Sequence, residues 1–335
     1  MEVTAQQEIQ QISVSTPHVV IVGAGASRAA CPGGDANGRT LPLMSDFIEF
    51  VPVQAILDEF GIEYTGDNFE ELYSKLASDP SLREACEKLE RAIFQYFDEL
   101  ELPEGPNIYD YLLLSLRSKD VIATFNWDPF LIQSARRLRI GDNSLPLLLF
   151  LHGNVLAGYC PNDQVHGVRG AVCSRCGQPF APSSLLYPVS EKDYESNPMI
   201  SSSWETLSIA LRNAFMVTVF GYSAPAADVS ASQLLRAAWG SADSRELEQF
   251  EIIDIQSEAD LLHTWDAFIH THHFEVHDDI FDSWMLLHPR RTGEAFVNQY
   301  IEALFIEDHP VPRDISLVQL KRWFQPLLDA ETTAA

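Results

Sequence analysis

Positive charge is scarce in this chain of 335 residues, which has 22 lysines and arginines against 48 aspartates and glutamates. The resulting net charge of -26 repels a phosphate backbone. No run of lysine and arginine with interleaved aromatic residues supplies a local basic groove. The sequence therefore argues against direct nucleic-acid binding and predicts a globular protein whose excess acidic residues form a solvated surface.

Long apolar runs and leader-like segments are missing as well. The longest apolar run, LPLLLFL at residues 145–151, is far shorter than the roughly 20 residues that span a bilayer. The opening segment, MEVTAQQEIQQISVSTP, has neither the basic nor the apolar part of a secretory signal. We therefore expect a cytoplasmic protein without membrane contact.

Cysteine is also rare, with five in the chain, and three of them cluster at Cys160, Cys173 and Cys176. Such usage fits a reducing compartment better than a disulfide framework. Cys173 and Cys176 have the spacing of a zinc knuckle, and Cys160 can supply a third thiolate. We predict a structural zinc site with His166 as the fourth ligand. The alternative is a degenerate loop that binds no metal.

A histidine-rich segment near the C-terminus invites a second metal hypothesis. It contains His270, His272, His273 and His277. Their spacing fits no common ligand pattern, and the neighbouring aromatic residues indicate packing. We therefore predict no metal site from these histidines.

Strand-like runs alternate with helix-like segments along the chain, which is typical of an α/β fold with a largely parallel, Rossmann-like sheet. The runs with buried-strand character are residues 18–22, 121–125, 147–151, 216–220 and 251–255. Between them, residues 61–118 show helical spacing and predict an inserted helical module.

The organisation into domains follows from changes of composition. Residues 158–184 are rich in Gly, Cys, Ser and Pro and predict a small cysteine-containing, zinc-ribbon-like module. We expect an N-terminal segment at 1–16, a catalytic domain at 17–258 and a mostly helical C-terminal region at 259–335.

Polar clusters follow the predicted strands, and an open parallel sheet places its chemistry at the carboxyl ends of the strands. The first cluster begins with Gly23 and Gly25, which allow the backbone to approach a pyrophosphate beside a helix N-terminus. Arg28 stands where a dehydrogenase has its third glycine, and no acidic residue ends a second strand about 20 positions later. The loop predicts a bound dinucleotide but does not follow the dehydrogenase pattern. The alternative is a plain strand-to-helix turn.

The clusters together resemble the sirtuin family in their order and spacing. The first cluster, Gly23-Ala24-Gly25-Ala26-Ser27, resembles the family's phosphate loop, and Thr124-Phe125-Asn126-Trp127-Asp128 resembles its Thr-x-Asn-x-Asp motif. His152-Gly153 resembles the catalytic His-Gly of the family. Gly221-Tyr222-Ser223, with Asp228, resembles the late Gly-x-Ser loop. Asp254 ends a strand that, in this resemblance, faces the adenosine.

The resemblance implies NAD as the bound dinucleotide. The residues that it implies for NAD binding are Gly23, Ala24, Gly25, Ala26, Ser27, Thr124, Asn126, Asp128, Gly221, Ser223 and Asp254.

Several departures separate the chain from sirtuin deacylases. Those enzymes carry Gly-Ile-Pro-x-Phe-Arg after the phosphate loop, whereas this chain has Ala-Cys-Pro-Gly-Gly at residues 30–34. Phe125 replaces a glutamine of the family, and Asp163 stands where a fourth zinc cysteine is expected. These features resemble the divergent sirtuin-like NAD hydrolases of bacterial antiphage defence. That resemblance implies depletion of NAD, a homo-oligomer and a protein partner such as a HerA-type ATPase.

Asn126 and His152 are the candidate catalytic residues. Asn126 offers both a donor and acceptors to ribose hydroxyls and water, and His152 titrates nearest neutral pH and can act as a general base. The alternative is a helix-capping asparagine and a hydrogen-bonded core histidine, and Asp128 is equally suited to capping a helix.

NAD hydrolysis to nicotinamide and ADP-ribose is the predicted activity. Two other functions stay open: an NAD-dependent protein-lysine deacylase, and a non-catalytic scaffold that senses NAD or ADP-ribose.

Overall fold

The computed structural model describes residues 2–66, 68–141, 144–189, 192–223, 228–241, 245, 247–269 and 273–334. Within these ranges the strands are β1 (Glu2–Val3), β2 (His18–Val22), β3 (Val121–Thr124), β4 (Leu147–Phe150), β5 (Ala157–Cys160), β6 (Val165–Val168), β7 (Ala181–Pro182), β8 (Met216–Phe220), β9 (Gln249–Ile253), β10 (Phe274–His277) and β11 (Phe305–Ile306). The α-helices are α1 (Ala5–Gln10), α2 (Ala24–Ala30), α3 (Phe47–Phe50), α4 (Val53–Glu59), α5 (Phe69–Ser78), α6 (Arg83–Asp98), α7 (Ile108–Ser115), α8 (Phe130–Leu138), α9 (Pro198–Asn213), α10 (Val229–Trp239), α11 (Glu258–Trp265), α12 (Trp284–Leu287), α13 (Thr292–Phe296) and α14 (Leu317–Ala334).

Within the described residues, the central sheet has six strands in the order β10-β9-β8-β2-β3-β4, and all their pairings are parallel. Every residue of β2, β8 and β9 is buried. Continuous burial is typical of parallel strands that are covered on both faces. The predicted α/β class with a mostly parallel sheet is confirmed.

Helices cover both faces of the sheet. One face packs on the helical module, whose helix α6 buries Cys86, Leu89 and Ile93 at helical spacing. The other face packs on α9, α10 and α11, with Trp204 and Leu207 among the buried side chains. The sheet is thus the middle layer of three, and the carboxyl ends of its strands form one edge.

The helical module begins earlier along the chain than the predicted range of 61–118, because α3 and α4 precede residue 61. Within the module, the side chain of Asn68 caps α5 by accepting hydrogen bonds from the N–H groups of Glu70 and Glu71. At the other end of the chain, β10 adds the last strand to the central sheet. The predicted boundary at residue 258 therefore falls before the sheet is complete.

The cysteine-containing segment forms a separate antiparallel sheet in the order β6-β5-β7, reached directly from β4. This agrees with a small zinc-ribbon-like module. In the described part of the chain, we find no helix with both the length and the apolar character that crossing a membrane requires.

Candidate active site

Asn126 joins two of the predicted clusters. Strands β2 and β3 pair with Val22 opposite Thr124, so the loops that follow them lie side by side. The Nδ2 group of Asn126 donates to the carbonyl oxygen of Gly23 and to Oγ of Ser27, each at 2.8 Å. The backbone N–H of Asn126 donates to Oγ1 of Thr124 at 3.0 Å. The phosphate-loop candidate and the Thr-x-Asn-x-Asp motif therefore form one hydrogen-bonded unit.

Ser27 lies at the centre of this buried unit. Its Oγ donates to Oδ2 of Asp128 at 2.6 Å and lies 2.5 Å from the hydroxyl of Tyr109. Because the single Ser27 proton is directed to Asp128, the Tyr109 hydroxyl donates to Ser27. Tyr109 belongs to α7, and the sequence analysis missed it. The nearby capping sequence of Asn107 and Asp110 marks the start of that helix but gives no sign of this contact.

Asp128 caps a helix and also contacts the first loop. Its Oδ1 accepts the N–H of Phe130 at 3.1 Å at the start of α8, while its Oδ2 faces Ser27. Burial raises the pKa of Asp128 to about 6, although the hydrogen bonds from Ser27 and Phe130 oppose that shift. The carboxyl group is therefore partly protonated in mildly acidic solution.

The glycines of the first loop are required by close packing against the Gly221 loop. A Cβ atom on Gly23 would lie 2.5 Å from the carbonyl oxygen of Gly221, and one on Gly25 would lie 2.9 Å from Cα of Gly221. The N–H of Gly25 also donates to that carbonyl oxygen at 2.9 Å. Gly221 itself has a φ of +59°, which favours glycine. Backbone contact within the protein thus explains these glycines before any ligand is considered.

The Gly25→Val substitution is accordingly expected to lower the free energy of unfolding by about 1–3 kcal/mol, because overpacking forces the two loops apart. Chemical denaturation measures this change, and Gly33→Ala is the matched control because no atom lies within 4 Å of a Cβ built there. A variant as stable as wild type would contradict the packing explanation. Calorimetric titration of the folded fraction with NAD then reports any separate effect on ligand binding.

His152 follows β4, the neighbour of β3, at the same edge of the sheet. Its Nε2 lies 3.0 Å from the hydroxyl of Tyr194 and 3.2 Å from Oδ2 of Asp228. Burial lowers the pKa of His152, with a smaller opposing effect of the hydrogen bond to Asp228. The imidazole is therefore neutral at pH 7 and able to accept a proton. Among the described residues, none hydrogen-bonds to its Nδ1.

Asp228 connects His152 to two residues that the sequence analysis missed. Lys192 Nζ lies 2.6 Å from Oδ2 of Asp228, and the Tyr194 hydroxyl donates to Oδ1 at 2.8 Å. Burial acts to raise the pKa of Asp228, but the neighbouring His152 and Lys192 more than offset this and hold the pKa well below its usual range. Asp228 is thus an anion that orients His152. Its place after the Gly221-Tyr-Ser loop was the available sequence signal, whereas Lys192 and Tyr194 gave none.

A pair of stacked aromatic rings lies beside His152. The ring of Phe125 stacks on Tyr222 with centroids 4.0 Å apart and an angle of 7° between the planes. It forms a T-shaped contact with His152, with ring centroids 4.8 Å apart. Phe125 is the residue that replaces a glutamine of the resembled family. The substitution turns a polar position into part of an apolar surface.

The remaining predicted NAD-binding residues lie at the same edge. Gly221 follows β8 and donates its N–H to the carbonyl oxygen of Ile253, the last residue of β9, and Asp254 comes next. Ser223 is exposed two residues after Gly221. The fold therefore brings the predicted catalytic and NAD-binding residues to the carboxyl ends of β2, β3, β4, β8 and β9.

The cysteine module brings three thiols and one carboxylate together. Cys160, Asp163, Cys173 and Cys176 place one candidate ligand atom each within 4.8 Å of the others. Cys160 Sγ lies 3.4 Å from Cys176 Sγ, and Cys173 Sγ lies 3.2 Å from Oδ2 of Asp163. Three sulfurs and one oxygen at these separations fit a tetrahedral zinc ion.

The structure does not place His166 in this group. Strands β5 and β6 pair with Tyr159 opposite His166 and Cys160 opposite Val165. Because neighbouring residues of a strand point to opposite faces, His166 shares the face of Tyr159 rather than that of Cys160. Asp163 takes the position that we predicted for His166.

The cysteine module of the purified protein is expected to hold one zinc ion, which elemental analysis measures as the difference in zinc content between wild type and Cys173→Ser. Asp163→Ala and Cys173→Ser should lower the zinc content, because each removes a ligand, whereas His166→Ala should retain it. Zinc lost from His166→Ala but kept in Asp163→Ala would reverse the assignment of the fourth ligand.

Comparison with known proteins gives matches among solved structures. No family model and no curated protein matches the chain. A complex of a Sir2 homologue with NAD is 13% identical, with a TM-score of 0.39 over 89% of this chain and 93% of that one. Sir2 bound to an inhibitor, 2'-O-acetyl-ADP-ribose and a deacetylated p53 peptide is 15% identical, with a TM-score of 0.40 over 86% and 94%. A serine-to-alanine mutant of a Sir2 homologue with ADP-ribose is 14% identical, with a TM-score of 0.38 over 96% of each chain. At these TM-scores the matches add no weight to a functional assignment.

Proposed function

We propose that the chain is an NAD hydrolase that cleaves the bond between nicotinamide and ribose, giving nicotinamide and ADP-ribose. The observation that carries the proposal is the placement of Asn126 and His152 at adjacent strand ends. Strands β3 and β4 pair with Thr124 opposite Phe150, and each candidate residue follows two positions later. Asn126 is in turn bonded to the Gly23–Ser27 loop.

The reaction needs a fixed ribose, a stabilised leaving group and a positioned water, because the transition state resembles an oxocarbenium ion. We propose that Asn126 presents its Oδ1 to a ribose hydroxyl or to the attacking water, since its Nδ2 is already used by Gly23 and Ser27. As the water oxygen bonds to C1' of the ribose, the bond to nicotinamide breaks and its electron pair neutralises the departing base.

His152 receives the proton that this step releases. The lowered pKa makes the neutral imidazole the major form at pH 7, and Nδ1 is the nitrogen without a partner in the described residues. The anionic Asp228 at Nε2 stabilises the imidazolium that forms. The proton then passes from His152 to solvent, and this step returns the imidazole to its neutral form.

Hydrolysis is favoured over deacylation by the departures of the sequence from sirtuin deacylases, which are the Ala-Cys-Pro-Gly-Gly stretch at residues 30–34 and Phe125 in place of a glutamine. The side chains described around His152 are compatible with both reactions, so the product assay distinguishes them. A role in antiphage NAD depletion, a homo-oligomer and a HerA-type partner belong to the same proposal, on the strength of the sequence resemblance alone.

Product chromatography after incubation of the purified protein with NAD tests the proposal. A hydrolase yields nicotinamide and ADP-ribose in equal amounts whether or not an acetyl-lysine peptide is present. A deacylase yields acetylated ADP-ribose only with the peptide, and a sensing scaffold binds NAD without any product. The assay is run with and without a HerA-type ATPase. Peptide-dependent acetyl transfer, or binding without turnover in both settings, would contradict the proposed hydrolase.

A further inference from the structure

Strands β9 and β10 place two carboxylates and an imidazole on one face of the sheet, apart from the candidate active site. Glu251 lies opposite Glu275 in the parallel pairing, and His277 follows Glu275 by two residues. Since side chains alternate along a strand, all three share one face. Their candidate ligand atoms lie within 4.8 Å of one another.

The separations in this group are too long for good hydrogen bonds but suit a shared cation. His277 Nε2 lies 3.4 Å from Oε2 of Glu275 and 3.6 Å from Oε1 of Glu251. The Nε2 atom is buried, and no residue in the described part of the chain forms a hydrogen bond with it. Ligands at about 2.1 Å from a tetrahedral ion are about 3.4 Å apart. The spacing therefore matches the edges of a coordination polyhedron.

The charge around the group also calls for a cation. Glu251 is fully buried, and within the described ranges neither Glu251 nor Glu275 forms an ion pair with a lysine or an arginine. His277 pairs with both carboxylates and supplies at most one positive charge, so the group keeps a negative charge that a divalent cation would neutralise. Glu275 is partly exposed, so an ion can reach the group from solvent.

Outer contacts hold the Glu251 carboxylate in place. Thr218 Oγ1 donates to its Oε2 and the backbone N–H of Trp284 donates to its Oε1, each at 2.7 Å. Oriented carboxylates of this kind are characteristic of metal ligands with a supporting second layer of hydrogen bonds.

We propose that Glu251, Glu275 and His277 bind a divalent metal ion of the Mn²⁺ or Zn²⁺ type. Mixed carboxylate and imidazole ligands suit such ions. The ion fastens the edge strand β10 to β9 and, through the bond from Trp284, to the C-terminal region. The sequence analysis found no site among the histidines because the partner ligands lie on two strands and have no fixed spacing from them. Of those histidines, His270 and His272 lie outside the described residues.

Titration of the chelator-treated full chain tests this site. Mn²⁺ is added under electron paramagnetic resonance, because manganese prefers oxygen and nitrogen ligands to the thiolates of the cysteine module. Zn²⁺ is added in a parallel calorimetric titration of protein whose cysteine module has been reloaded with one equivalent of zinc. We expect saturable binding at one site per chain for at least one of the two ions.

Substitutions distinguish the residues that bind the metal ion from residues that only lie nearby. His277→Gln and Glu275→Gln should weaken binding at least about 10-fold, which is what loss of even an outer hydrogen-bond partner costs. Glu258→Gln, at an exposed position on α11, should leave binding unchanged. Circular dichroism verifies that each variant is folded. No saturable binding of either ion, or equal affinity in folded His277→Gln, would overturn the proposal and leave a proton shared between His277 and its carboxylates.

Discussion

The His152→Ala variant is expected to release nicotinamide from NAD about 10²- to 10⁴-fold more slowly than wild type, the range that a positioned general base supplies. His152 is held by Tyr194 and Asp228, so its removal deletes the proton acceptor while the two partners remain bonded to each other. Asn126→Ala should lower the rate as well, because it removes the amide that joins the Gly23–Ser27 loop to β3. Single-turnover assays on folded protein measure both effects.

The pH dependence of the rate of NAD hydrolysis tests the same mechanism. Burial lowers the pKa of His152 below 6.5, so the active neutral form predominates throughout the neutral range. We expect a rate that is level from about pH 7 to 8 and falls in the acid limb as His152 becomes protonated. His263→Ala is the matched control, because His263 is exposed on α11. Wild-type rates in folded His152→Ala would remove His152 from the mechanism.

The strand ends show why part of the site was predictable from sequence. The mainly apolar runs 18–22 and 216–220 coincide with β2 and β8, because a strand buried on both faces is formed mostly by apolar residues. Polar residues directly after such runs fall at the carboxyl edge of a parallel sheet whatever the rest of the fold does. That rule predicts that Asn126 and His152 follow adjacent strands, as they do.

Other parts of the site depend on contacts that no local pattern encodes. Tyr109 reaches Ser27 across 82 positions, and Tyr194 reaches His152 across 42. The sequence analysis chose His166 as the fourth zinc ligand, and only the pairing register of β5 and β6 shows that it faces away from Cys160. The strand β10 was missed because its half-buried edge position admits Glu and His, which obscures the strand pattern.

The Glu331→Ala variant has the largest expected effect on stability. Glu331 of α14 accepts hydrogen bonds from both Arg290 and Arg291, whose side chains are fully buried. Glu331 is the anion that pairs with Arg290 and Arg291 in the described residues, so its removal leaves two buried guanidinium groups without that partner. We expect a loss of about 3–5 kcal/mol in the free energy of unfolding, the range for breaking a buried ion pair from one side. Chemical denaturation followed by circular dichroism measures the change.

Arg290 and Arg291 also connect Glu331 to segments of the chain outside α14. Arg290 also donates to the carbonyl oxygens of Leu114 and Leu116, and Arg291 to that of Ile9. One carboxylate thus holds α14, the N-terminal helix and the end of the helical module around the same pair of cations.

The pH dependence of the stability that Glu331 contributes, together with a control variant, tests the role of its ion pairs with Arg290 and Arg291. Burial acts to raise the pKa of Glu331, but the two arginines hold it below its usual value. A depressed pKa in the folded state adds stability above the unfolded pKa, and that stability is lost as the pH falls through the folded pKa. The difference between wild type and Glu331→Ala should therefore shrink in acid. Glu302→Ala, at an exposed position, should change stability little at any pH. If Glu331→Ala unfolds at the same denaturant concentration as wild type at pH 7, the carboxylate does not anchor the C-terminal helix.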